Sequence, residues 1–186
     1  MTPEDILARL ERLPEQEQQH VRDEAVRATV ARYFVPNIGP QTQAYFSPAD
    51  EVFYGGGAGG GKSALLCGLA IEEHQKAIIF RREYPQIKSL VDEIARQIGT
   101  RAGYSAETKV WRLPKGNELE FGSVAREDDK ERYQGRAHDL KGFDEITHFS
   151  EAQYRFLIAG TARRNRGSAA AWWPPAIHRS PPKAAG

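Results

Sequence analysis

One cysteine and one methionine are spread over 186 residues. A lone Cys67 excludes an internal disulfide, and its place in an apolar helical run marks a packed thiol rather than a nucleophile. No apolar run approaches the roughly 20 residues that span a bilayer. The start MTPEDILARLERL carries acids and no signal-peptide core, so the expectation is a soluble, cytoplasmic chain with no membrane partner. Net charge is small too, at +1, but unevenly placed: residues 159–186 hold Arg163, Arg164, Arg166, Arg179 and Lys183 with no acid. Overall charge therefore announces no nucleic-acid partner. There is no internal repeat, and 40% hydrophobic content supports one domain with a real core.

Glycine, by contrast, is concentrated in VFYGGGAGGGKSALLCGLA, residues 52–70. A glycine run often serves as a slack linker. Here the β-prone Val52, Phe53 and Tyr54 precede it, and Ala64, Leu65, Leu66, Cys67, Leu69, Ala70 and Ile71 follow as a buried helix would. From Gly56 the run fits G-x-x-x-x-G-K-[ST], the phosphate-binding loop. Gly56, Gly57, Ala58, Gly59, Gly60, Gly61, Lys62, Ser63 and Ala64 then form the nucleotide cradle, with N–H groups and the helix N-terminus facing an anion. In that geometry Lys62 reaches the β- and γ-phosphates of ATP and Ser63 binds Mg2+.

Around the loop, residues 3–33 predict two helices interrupted at Pro14, and VPNIGPQ a loop. AIIF, 77–80, predicts a buried parallel strand, and 86–98 a helix carrying Ile87, Leu90, Val91, Ile94 and Ile98. KVWRLPKGNELEFGSV predicts a hairpin around Pro-Lys-Gly-Asn. HDLKGFDEITHFSEAQYRFLI predicts a strand ending in acids, then a helix from near Ser150. This alternation indicates a βαβ sheet. Asp144 and Glu145 fall at the strand's C-terminal end, where open α/β sheets gather ligands. There Asp144 assists magnesium and Glu145 acts as general base, although a surface Asp-Glu pair is commonplace and Lys141 and Gly142 interrupt the apolar strand.

VPNIGPQTQAYF, YGGGAGGGKS, IIFRREYPQIKSL, WRLPKGNELEFGS, DDKERYQGRAHDLKGFDEITHFSE and QYRFLI together resemble the large terminase subunits of tailed bacteriophages, from about Tyr33 to Ile158. The resemblance implies a P-loop α/β ATPase of the additional-strand type, with a mostly parallel sheet, N-terminal helices and an inserted β-hairpin. It implies residues 1–32 as a helical segment and 33–158 as a partial ATPase domain. Its function is ATP hydrolysis driving double-stranded DNA into procapsids, with the small terminase subunit, the portal and copies of itself as partners. The alternatives are a helicase- or recombinase-like ATPase, or a non-catalytic nucleotide-binding remnant. The family's adenine-contacting Gln falls on Gln41, with Gln43 as rival, and its acidic pair on Asp144 and Glu145. For its catalytic arginine the first candidate is Arg136 in YQGR, then Arg82 and Arg132, each of which also fits a solvated surface arginine.

The tail AGTARRNRGSAAAWWPPAIHRSPPKAAG departs from the family, which continues into an apolar strand and a Thr-Gly-Asn-Pro type motif. Trp172 and Trp173 are necessarily TGG TGG and Pro174 begins CC, so the neighbouring frame encodes Leu, Met or Val, then Val, then Ala. Synonymous codons onward permit Thr-Gly-Asn-Pro. The expectation is that residues 159–186 are an out-of-frame, disordered tail, and that the chain lacks the strand between the phosphate-loop and acidic strands, leaving an incomplete core without the family's nuclease domain.

Overall fold

The computed structural model describes residues 3–30, 32–57, 59–159 and 169–171. Two helices open the chain, α1 (Pro3–Leu10) and α2 (Glu15–Val30), with the break at Pro14 where that residue cannot continue a helix. The segment expected to be a loop contains a further helix, α3 (Pro40–Tyr45), started by Pro40 in its first turn. Strand β1 (Glu51–Phe53) leads into the glycine loop and α4 (Lys62–Glu72), and β2 (Lys76–Arg81) into α5 (Tyr84–Ile98). A short β3 (Tyr104–Ser105) precedes the hairpin of β4 (Val110–Arg112) and β5 (Glu118–Ser123). After a 3-10 helix, Glu127–Tyr133, come β6 (Leu140–Phe143), a second 3-10 turn, Ile146–His148, and α6 (Glu151–Ile158). α6 starts at Ser150, whose hydroxyl accepts from the Gln153 N–H while the Gln153 side chain returns to the Ser150 N–H.

Among the described residues the strands form one seven-stranded mixed sheet, in order β1-β7-β6-β2-β5-β4-β3. Pairs from β1 across to β5 are parallel; β5–β4 and β4–β3 are antiparallel. The remaining strand, β7 (Ala169–Ala171), corrects one expectation. It lies between β1 and β6, pairing Val52 with Ala170 on one side and Gly142 with Ala170 on the other. The position expected to stand empty is thus filled by three alanines, Ala169–Ala171, of the segment expected to be an out-of-frame tail. The rest of the expected disordered tail, 160–168 and 172–186, lies outside the described residues.

Period-two alternation in β2 serves both faces of the sheet. Ala77 and Ile79 join Leu65, Leu66, Ile87, Leu90, Ile94, Trp111 and Phe121 under α4 and α5. Ile78 and Phe80 join Val124, Phe143, Ile146 and Leu157 under α6. Helix α4 sits close on the sheet, because a Cβ on Gly142 of β6 would come within 2.5 Å of Leu66. The interrupting Lys141 is buried, and its ammonium donates to the carbonyls of Leu157 (2.6 Å) and Ala159 (3.0 Å), so it closes the C-terminus of α6. Burial lowers its pKa. Among the described residues no helix is long and apolar enough to cross a membrane.

Candidate nucleotide site

The glycine run between β1 and α4 turns back on itself, with Gly60 N–H donating to Gly57 O at 3.3 Å. Gly61 ends it in the left-handed region, φ 69°, and caps α4 with a backbone that L residues rarely adopt. The next side chain, Lys62, curls into the loop, its ammonium donating to Gly56 O at 2.9 Å and Gly57 O at 2.7 Å. Ala58 lies outside the described residues. Ala64, two residues on, is partly buried against the core, and its carbonyl accepts from Gln97 Nε2 at 2.9 Å.

Ser63 and Asp144, far apart in sequence, converge. The Ser63 hydroxyl lies 3.1 Å from each carboxylate oxygen of Asp144. Asp144 follows β6 directly, held by its N–H to Phe80 O at 3.0 Å, and is buried. Glu145 next to it takes φ 59°, ψ 55°, a strained conformation for a non-glycine residue. His148 Nδ1 stands 3.4 Å from Glu145 Oε2.

A residue the sequence did not single out joins the two acids. Arg81 ends β2, the strand beside β6, and its Nε donates to Asp144 Oδ2 at 2.7 Å. Its terminal nitrogens reach Asp144 Oδ2 at 2.5 Å and Glu145 Oε2 at 3.0 Å. The signal available was an arginine closing a buried apolar strand at its C-terminal end, in IIFRRE.

The glutamine expected to contact adenine lies against the base of the loop. Gln41 is buried, accepts from Asn37 N–H at 2.6 Å, and donates to Gly61 O at 3.1 Å, so both ends of its amide are engaged in bracing the loop. Its rival Gln43 is exposed on α3. The three candidate arginines each have another partner. Arg136 pairs with Glu120 at 2.5 Å, in the middle of β5, and lies over the Tyr133 ring. Arg82 donates to Gln153 of α6 at 3.1 Å, and Arg132 pairs with Asp129 at 3.0 Å.

The cradle's fit to a triphosphate with Mg2+ follows from this chemistry. A hydroxyl and a carboxylate share one point at the sheet's C-terminal edge, and a lysine occupies the loop interior on carbonyls that an anion would replace. This donor set suits a hard cation that takes only one or two protein oxygens.

Residues 53–169 match the family described as terminase large subunit, T4likevirus-type, N-terminal. The match runs beyond Ile158, where the resemblance was expected to stop, and begins after residues 33–52. Among solved structures, the large terminase of a thermophilic bacteriophage is similar with TM-score 0.59 at 14% identity, covering 75% of this chain and 39% of that one. The same terminase in complex with ADP is similar with TM-score 0.55 at 15% identity, covering 73% and 37%. The chain thus corresponds to about two fifths of the length of these terminases, and at such identity they show a shared fold. No curated protein matches it. The matched residues span most of the sheet and both the glycine loop and the acidic pair, and the chain belongs to the T4likevirus-type terminase large subunit family, as its N-terminal part.

Proposed function

We propose that the chain binds and hydrolyses ATP as the motor portion of a machine that translocates double-stranded DNA into procapsids. The observation that carries this reading is the convergence of Ser63 on Asp144 at 3.1 Å beside the Lys62 loop. In this reading residues 33–158 with β7 are the ATPase body and 1–32 a helical extension. Loop N–H groups and Lys62 hold the phosphates, while Ser63 and Asp144 hold Mg2+, which supplies neutralising charge on the phosphate oxygens. Glu145 orients and deprotonates the attacking water. Its path there requires release from Arg81 and His148. Family membership and the ADP complex of the similar phage terminase support nucleotide binding. The small terminase subunit, the portal and further copies of the chain are proposed partners of the whole protein. Arg136, held on Glu120 within its own chain, is proposed to act only after leaving that ion pair.

A second reading, binding without turnover, draws on the same Arg81 contacts, which tie up both carboxylates. Purified protein separates the two. Wild type is expected to bind and hydrolyse ATP, Lys62→Ala to lose binding, and Glu145→Gln to bind but lose turnover by about 10²-fold or more. Binding without wild-type hydrolysis would select the second reading, and binding unaffected by Lys62→Ala would defeat both.

A further inference from the structure

Beyond the glycine loop, on the antiparallel side of the sheet, the first turns of α5 and the β3–β4 hairpin enclose a cleft of about 530 Å3. Its floor is apolar, from Ile87 and Val91, and its walls carry Tyr84, Lys88, Tyr104 and Lys109, with Arg101 at one end. No acid lines it; Asp92, which pairs with Arg101, stands outside. Three observations point to a ligand. Tyr84 is 47% exposed at the rim, although a tyrosine of the first helical turn could have been packed. Lys109 takes φ 60°, the left-handed region that a lysine seldom enters, and its ammonium, which donates to the Ala106 carbonyl, stands 5.8 Å from the Tyr84 ring centroid. Tyr104 is fixed as a wall by its ring contact with Trp111 at 5.2 Å.

Cations for phosphate, ring faces for a base or sugar, and an apolar floor form the combination by which proteins hold single nucleic-acid strands. We propose that this cleft binds an unpaired nucleotide of a DNA strand, its base on Tyr84 and its flanking phosphates on Lys88 and Lys109. The choice of a strand over a free nucleotide rests on the reading of the chain as a DNA motor. A duplex offers the cleft only phosphates, because its bases are stacked inside, so single strands are the preferred ligand.

The test is fluorescence anisotropy of the full chain with a short labelled oligothymidylate, without ATP, over a series of salt concentrations. Working without ATP separates it from the glycine loop: a chain that fails to bind ATP can still bind the strand, and the reverse. Tyr84→Leu is expected to weaken binding roughly tenfold. Lys88→Gln and Lys109→Gly are each expected to flatten the slope of log K against log salt by about 0.7. Glycine at 109 also relaxes the backbone, so lost binding there is not lost folding. The proposal is overturned by absent binding, by variants that bind as wild type does, or by lysine effects without a Tyr84 effect. It is also overturned if thymidine monophosphate competes as well as the oligonucleotide.

Discussion

Gly142 occupies a place in β6 where strand propensity favours a branched aliphatic side chain, and the reason is Leu66 of α4, 2.5 Å from where a Cβ would sit. Adding that one carbon obliges the Leu66 side chain to give way in a closely packed seam. Gly142→Ala is expected to lower stability by about 1–3 kcal/mol, read from the urea midpoint. Its neighbour Lys141 looks equally misplaced in the sequence, yet its side chain leaves the strand on the other face and satisfies the last carbonyls of α6. Gln41 is similar. The amide expected to meet a ligand spans from Asn37 to Gly61, and Gln41→Leu strands a donor and an acceptor at the loop's base. Measured by equilibrium binding, Gln41→Leu should weaken nucleotide affinity about tenfold while leaving selectivity between ATP and GTP unchanged. A base-reading glutamine would change that selectivity.

Neighbouring β2 and β6 hold charges at both of their ends. At the C-terminal end Arg81 neutralises Asp144, which is almost wholly buried, with 2% of its side chain exposed. Removing one member of such a pair leaves a buried charge uncompensated, so Arg81→Gln is expected to destabilise the chain by about 3 kcal/mol. Magnesium should return part of the lost Tm in Arg81→Gln and none in Arg81→Gln combined with Asp144→Asn. At the N-terminal end Asp139 accepts from the N–H groups of Gln75 (2.8 Å) and Lys76 (3.0 Å) and fastens the start of β2. Burial alone would raise its pKa; His74 and these two N–H donors outweigh that and bring it down to about 2. Since the folded-state pKa lies below the unfolded value of about 3.9, the contribution is fully present above that value. It is lost as pH falls towards about 2. Asp139→Ala should therefore lower the denaturation midpoint at pH 7 and flatten its fall between about pH 5 and pH 2.

Across the molecule, the glycine loop depends on a thin connection. Among the described residues strand β1 pairs with β7 alone, so its backbone reaches β6 through the three residues Ala169–Ala171. Tyr154 of α6 adds a side-chain link, with its hydroxyl 3.0 Å from Glu51. Helix α4 is anchored independently by its buried face, so the two ends of the glycine loop are held by elements of very different strength. Ala170→Pro removes a ladder donor from an interior strand. It is expected to cost about 1–3 kcal/mol and to release the β1 amides to rapid hydrogen exchange, with those of β2 and β6 still protected.

The glycine loop, its flanking strand and helix, the 110–123 hairpin and the acids at the end of β6 were legible in the order of residues. Each is written in local spacing: period two, period 3.6, or glycine where φ must be positive. Strand order was not. Nothing local to Ala169–Ala171 says that it inserts between Glu51–Phe53 and Leu140–Phe143, because alanine carries little strand preference and the ladder is completed by partners more than a hundred residues away on one side. Nor could spacing show that Arg81 would lie on Asp144 and Glu145, that Gln41 would brace Gly61, or that Arg136 would fall on Glu120. A charged or amide side chain takes whichever partner packing brings within about 3 Å, and that choice exists only after the chain has folded.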